Sequence, residues 1–136
     1  MAFWLVKTES GDYSYQDLEK DKKTVWDGVT NNWALKNIRE VKAGDKVLIY
    51  HTRKEKNIAG IGEFASDPYP DPHGSDKKLI VADVVPVKKL SGRVSLKILK
   101  SDPFFSDFML VKFTRLSIMP VEKKYWDRIL ELEMGQ

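Results

Sequence analysis

The chain has 136 residues, 42% hydrophobic and 32% charged, which suits one soluble globular domain over residues 1–136 and leaves little room for two. Lys and Arg number 23 against 20 Asp and Glu, and the resulting formal charge of +3 admits nucleic acid as a partner without demanding it. The absence of Cys excludes disulfides, thiolate metal sites and cysteine nucleophiles and fits a cytoplasmic chain; the opening apolar run is too short for a signal peptide, and none reaches the roughly 18 residues of a membrane span.

Phe3–Val6 reads as a buried strand at the chain start. Ser10-Gly11-Asp12 breaks it, and Ser14 with Asp17 has the spacing of a capping box, so a short helix through Leu18 is expected before the charged turn Glu19–Lys23. Val25–Val29 looks like a strand entering a tight bend at Asp27-Gly28. Asn31 or Asn32 can cap a helix running through Trp33, Ala34 and Ile38 to Val41, and Ala43-Gly44-Asp45 ends it. Lys46–Thr52 and Ile58–Phe64 form two strands of a hairpin across the charged turn Arg53–Asn57, and Gly60 and Gly62 point to a bulge or a close approach.

Residues 65–78, with Pro68, Pro70, Pro72 and Gly74, read as a long loop. Leu79–Val87 is a further strand whose valines imply burial on both faces near its middle, and the alternation in Val94–Ile98 predicts another with one inward face. Ser101–Phe105 opens a helical turn with an early Pro. Leu116–Met119 is the last strand, stopped by Pro120, and Val121–Glu133 is a helix with Tyr125, Trp126, Ile129 and Leu130 on one stripe. Five or six short strands interspersed with short helices give an α+β class: a small, mixed or mostly antiparallel β-barrel with helices at its ends.

Gly60-Ile61-Gly62-Glu63-Phe64-Ala65 matches the glycine pattern of a dinucleotide fingerprint, but Ser66-Asp67-Pro68 follows where a helix N-terminus is needed, so no cofactor is expected. His51 and His73 are the only histidines and lie at no ligand spacing, so no metal is expected. His51, beside Tyr50 at a strand end, is either a polar pocket contact or a satisfied, partly buried histidine. Catalysis needs a nucleophile beside a base or a perturbed acid pair. Glu9, Asp27 and Glu63 are the acids with apolar neighbours, and each can equally hold a loop, so the chain reads as a non-enzyme.

The aromatic set is more informative. Trp26 precedes Asp27-Gly28 and Asn31-Asn32, Tyr50 precedes His51, and Tyr69 sits between prolines. Aromatic faces beside donors and acceptors are what a flipped-out base needs, because stacking holds its face and polar groups read its edge. Lys36, Arg39, Arg53 and Lys54 are candidate contacts to a nucleic-acid backbone, with Lys7 and Lys56 as further cations.

These motifs carry a resemblance. Trp4–Glu9, Tyr13-Ser14 with Asp17-Leu18, Trp26–Val29 with Asn31, Lys42–Asp45, Tyr50–Thr52, Gly60–Glu63, Tyr69–Pro72, Arg115–Val121 and Trp126 resemble the EVE domain over nearly the whole chain and in order. The resemblance implies a PUA-like fold, related to PUA, ASCH and YTH domains, with a pocket for a modified base. It makes Trp26 the counterpart of the Trp that forms part of the aromatic cage in YTH readers. It also implies modified cytosine in DNA, or a modified base in RNA, as the ligand. Three positions depart from the family pattern: Ser10 replaces Pro, Thr30 replaces Arg, and Leu35 stands at the Arg of an Ala-Arg-Asn motif. Two lost guanidiniums remove planar, bidentate donors that Lys does not replace.

The expectation is therefore a monomeric, nucleic-acid-binding module. Trp26 stacks on the base, and Lys7, Asp27, Asn31 and His51 satisfy its edge or the adjacent backbone. Tyr50 or Tyr69 closes the pocket, and Trp26→Ala loses binding with little loss of stability. An enzyme acting on a base or nucleotide, with Glu9 or Asp27 as its acid or base, and a protein-interaction module are the alternatives.

Overall fold

The computed structural model describes residues 1–74 and 78–135. β1 (Phe3–Thr8) lies inside the sheet because Trp4, Leu5 and Val6 are all buried in succession, where a one-faced strand would bury only alternate residues. It pairs in parallel with β3 (Lys46–His51) and antiparallel with β7 (Ile118–Pro120). The β3–β4 hairpin is the expected one, with β4 spanning Asn57–Phe64 and its turn using left-handed backbone at Arg53 and Lys56. β4 then pairs with β6 (Ile80–Lys89), and β6 with β2 (Thr24–Trp26), giving the order β2-β6-β4-β3-β1-β7. The sheet curls into the half-barrel of a PUA-like fold, with one parallel pairing in an otherwise antiparallel path.

Local chemistry sets the helices. Ser14 caps α1 (Tyr15–Asp21) with a complete capping box: its hydroxyl accepts from Asp17 N–H, and the Asp17 carboxylate accepts from Ser14 N–H. Asn31 caps α2 (Asn32–Arg39), accepting from the N–H groups of Trp33 and Ala34 at 2.9 and 3.3 Å. α2 lies against β6 and β7 with Ala34, Leu35 and Ile38 buried. α5 (Lys123–Glu133) docks on β1 through Trp126, which stacks on Phe3 at 4.5 Å. No helix among the described residues is long and apolar enough to cross a membrane.

Three expectations change. Val94–Ile98 is not a strand: Ser95 caps α3 (Leu96–Ser101), its hydroxyl accepting from Ile98 N–H at 3.2 Å, and a run of five residues is too short for period 2 to exclude a helical first turn. The 65–78 loop contains a two-residue strand, β5 (Tyr69–Pro70), paired with β6; residues 75–77 of that loop lie outside the described residues. β6 is buried at Val81, Ala82 and Val84 but opens outward at Val85 and Val87, so its valines are not all core. The early-Pro turn forms as a single 3-10 turn, Pro103–Phe105, followed by α4 (Met109–Lys112).

The two glycines of β4 serve both purposes expected of them. The β4–β6 register shifts between Ile61 and Gly62, and at Gly60 the Tyr15 ring crosses the strand so closely that a Cβ would lie 2.4 Å from Cε2. Tyr15 is held there by donating to the Ile61 carbonyl at 2.7 Å. These glycines sit within a strand rather than at a strand-to-helix turn, so the dinucleotide reading has no structural counterpart. Gly60→Ala is expected to destabilise the fold by about 1–3 kcal/mol through overpacking against Tyr15. A denaturant titration checks it, and Tyr15→Leu in the same chain should recover part of the loss.

Candidate nucleic-acid interface

β1 and β3 end side by side, with Lys7 opposite Tyr50 in the parallel register. Beyond β1 the Thr8 hydroxyl donates to the Tyr13 carbonyl at 2.8 Å, which brings the Tyr13 ring edge-on to Trp26, centroids 6.4 Å apart. β2 delivers Thr24, Val25 and Trp26 to the same place, and Gly28, at φ +78°, turns the chain just after Asp27. Lys7, Thr8, Tyr13, Trp26 and Asp27 thus line one cleft of about 250 Å³.

The cleft carries one charge of each sign. Lys7 Nζ donates to the carbonyls of Thr114 at 2.9 Å and Phe113 at 3.4 Å, which leaves the third ammonium N–H for a ligand. Burial pushes its pKa below the ordinary 10.5, since partial desolvation penalises the charged form. Asp27 is exposed, and its carboxylate has no hydrogen-bond or ion-pair partner among the described residues. Tyr13, whose hydroxyl donates to Asp21 at 2.9 Å, is kept in its phenol form by desolvation.

A second cleft adjoins this one, and a third adjoins the second. A cleft of about 240 Å³ shares Lys7 and adds Tyr50, Arg53, Lys56, Lys100 and Thr114. Another, of about 300 Å³, shares Thr114 and is lined by Asn31, Trp33, Phe113 and Arg115. Thr114 is therefore common to the second and third clefts, and its carbonyl holds the Lys7 ammonium of the first.

Lys7, Trp26 and Asp27, three of the residues expected at the base pocket, come together in the first cleft. The others sit elsewhere. Asn31 lies in the Trp33 cleft with its carbonyl oxygen committed to capping α2. Tyr50 lines the Arg53 cleft but is buried, a fixed wall rather than a closing lid, and burial raises its pKa. His51 is 6% exposed: its Nε2 accepts from Tyr15 N–H at 3.0 Å and its Nδ1 faces Glu55, which assigns the proton to Nδ1. It borders a separate cleft with Ser14, Gln16 and Ser91, so the structure shows the satisfied, partly buried histidine and not a contact in the Lys7 cleft. Tyr69 lies on β5, outside the Lys7 cleft, and donates to Asp83 at 2.6 Å; that bond to a carboxylate pushes its pKa up to about 12.

The backbone candidates divide likewise. Arg53, with its Nε 3.2 Å from Glu9, and Lys54 lie on the face of the β3–β4 turn, where Lys54 shares a groove of about 630 Å³ with Lys56, Lys97 and Lys100. Lys36 and Arg39 are on α2, and Arg39 donates to the Lys78 carbonyl at 3.4 Å. A strand over Val94–Ile98 would not bring Lys97 together with Lys100; the helix Leu96–Ser101 sets both on this groove. Glu9 and Glu63 pair with Arg53 and Lys46, and among the described residues no three His, Cys, Asp or Glu side chains come close enough to hold a metal. Thr30 is exposed, and Leu35, at the family's second Arg position, is buried in the core.

The chain as a whole resembles known proteins. An EVE domain family model matches residues 2–132. Thymocyte nuclear protein 1 of Homo sapiens is 30% identical over 167 residues, covering 97% of this chain and 74% of that protein. A hypothetical protein from Leishmania major superposes with a TM-score of 0.92 at 32% identity, over 100% of this chain and 96% of that one. The human THYN1 protein, solved in complex with 5-methylcytosine containing DNA, superposes with a TM-score of 0.87 at 28% identity, over 98% of each chain.

Trp26 is 8% exposed and belongs to the core cluster, which corrects the expectation that it can be removed without loss of stability. Trp26→Ala is expected to cost about 3–5 kcal/mol in an unfolding titration, as truncation of a buried aromatic does, and Trp26→Phe much less.

Proposed function

The chain belongs to the EVE domain family, and from that premise we propose that it is a non-catalytic reader of one modified base in a nucleic acid, held in the cleft between β1 and β2. The carrying observation is the chemistry of that cleft. A rigid aromatic wall, Trp26 with Tyr13 edge-on, stands beside an unpartnered carboxylate and an ammonium with one free donor. Its volume of about 250 Å³ lies just under the roughly 300–1,000 Å³ of sites for drug-sized ligands, which suits a single planar base.

The polar pair favours cytosine. An ionised Asp27 only accepts, so it pairs with an exocyclic amino group such as cytosine N4–H₂. Lys7 only donates, so it meets a base carbonyl or ring nitrogen on the same edge. A 5-methyl group adds apolar surface that the Trp26 and Tyr13 rings can cover. The 5-methylcytosine containing DNA bound by the human relative supports the same choice. Base flipping brings the ring into such a cleft at a cost of a few kcal/mol for unstacking, least in a single strand. The cations around the β3–β4 turn, Arg53, Lys54 and Lys56, are placed to take the backbone phosphates beside it.

The test is a low-salt titration against short DNA and RNA, single- and double-stranded, with and without methylated or hydroxymethylated cytosine. Preference for one modification is expected. Asp27→Ala, at an exposed position, should leave stability within about 0.5 kcal/mol and weaken the preferred ligand by about 1–3 kcal/mol. Uniform weak binding that fades with salt, unaffected by Asp27→Ala, would sink the reading.

A pH series tests Lys7 separately. The ligand needs the ammonium form, so affinity holds at pH values below the pKa of Lys7 and falls as pH rises through it. Because burial has lowered that pKa, the fall comes below the ordinary 10.5. Lys7→Met should bind more weakly and lose this limb of the profile.

A further inference from the structure

Trp33, on the first turn of α2, is 43% exposed, and Phe113, 37% exposed, meets it edge-on with centroids 4.8 Å apart. The core does not use this pair. The buried stripe of α2 is Ala34, Leu35 and Ile38, and Trp33 lies off it. The two rings face a cleft of about 300 Å³, shared with Asn31, Thr114 and Arg115. Arg115 makes no hydrogen bond or ion pair among the described residues, and the Asn31 amide nitrogen is likewise unengaged. Lys7 links this cleft to the base cleft, because the carbonyls of Phe113 and Thr114 on its wall are the ones that hold that ammonium.

We propose that the Trp33–Phe113 pair is a second stacking site, which takes the nucleobase next in the strand to the one held at Trp26 and Asp27, with Arg115 on the phosphate between them. It rests on the base-reading proposal and extends it from one nucleotide to two. An exposed indole suits any base, because every base offers a π-face, and it needs no sequence preference to contribute. A free guanidinium beside an aromatic platform matches the alternation of base and phosphate along a strand. Purely apolar protein partners would leave the Arg115 charge and the Asn31 amide unsatisfied. Lys7, which lines one cleft and is held by the Phe113 and Thr114 carbonyls of the other, links the two and supplies the register for a strand that crosses it.

Fluorescence anisotropy with the full chain tests the proposal, using two probes at low salt. One is the 5-methyldeoxycytidine monophosphate alone, read by competition; the other is a single-stranded DNA of about nine nucleotides with one central 5-methylcytosine, compared with its unmodified twin. Trp33→Ala is expected to weaken the oligonucleotide roughly five- to hundredfold and leave the mononucleotide unchanged, with Trp33→Phe restoring most of the loss. Equal affinity of Trp33→Ala and the wild type for the oligonucleotide overturns the proposal, as does an equal loss on both probes. So does a change in self-association, followed by sedimentation, with oligonucleotide binding intact, since the pair would then be a protein interface. The two proposals fail separately. If the wild type does not distinguish methylated from unmodified DNA but Trp33→Ala still loses only the oligonucleotide, base reading falls and the stacking site stands. If discrimination persists and Trp33→Ala is silent, only the stacking site falls, and if the wild type binds neither probe both fall.

Discussion

The geometry of the base cleft hangs on a buried carboxylate at the far end of the strand that supplies Lys7. Asp45 accepts hydrogen bonds from Trp4 Nε1 at 2.9 Å, Ala2 N–H at 3.1 Å and Lys42 N–H at 3.0 Å. A buried carboxylate is costly unless its lone pairs are filled, so these three donors have to stay where they are. Two of them belong to the start of β1 and one to the turn that launches β3, and the result is a fixed parallel register between the two strands. A slip of one residue would exchange the faces of β1, sending Lys7 into the core side and its apolar neighbours into the cleft. The position of the Lys7 ammonium is thus decided by a structural carboxylate almost a whole strand away.

That fixed frame divides the work at the site between two kinds of residue. Trp26 and Tyr50 are buried walls, built into the core and unable to swing. Asp27, Arg115 and Trp33 are exposed, with their chemistry unspent within the fold. A preformed wall spares a ligand the entropy of ordering it, typically 0.5–1.5 kcal/mol for each immobilised side chain. Lys7 stands between the two kinds: half-buried, held by two backbone carbonyls, and carrying a charge that its surroundings disfavour. An acceptor brought by a ligand relieves that penalty, which is why the most desolvated cation of the cleft is also its best-placed donor.

The parts of this arrangement that could be read from the chain are those fixed within a few residues. The Ser14–Asp17 capping box, the Asn31 cap, the hairpin across Arg53–Asn57 and the Gly44 turn each depend on a local hydrogen bond or a backbone dihedral, and each formed as expected. So did the meeting of Lys7, Trp26 and Asp27, although that rested on the family resemblance, because β1 and β2 reach the cleft through different partners. What failed was what distant partners decide. For His51 the residues around it leave two readings open, and distant partners decide between them, since the Tyr15 N–H and Glu55 occupy both ring nitrogens. Tyr69 looked like a loop aromatic until its pairing with β6 set it against Asp83. Trp33 is offset from the buried Ala34 and Ile38 along α2, a sign in the sequence that it faces water.

The departures from the family pattern acquire a physical meaning in this setting. Leu35, at a position where the family usually carries Arg, is buried among the residues that seat α2 against the sheet, so the missing guanidinium is not merely shortened to a Lys but replaced by core. Thr30 offers a hydroxyl in place of the other. The cations that remain near the clefts are mostly lysines, which attract phosphate as point charges but do not fix its orientation as a bidentate fork does. In the proposed two-nucleotide site the exposed rings would supply register along a strand, since a base stacked on Trp33 is located in a way that a phosphate beside a lysine is not. On the proposed reading, aromatic faces would place the ligand and diffuse charge would hold it.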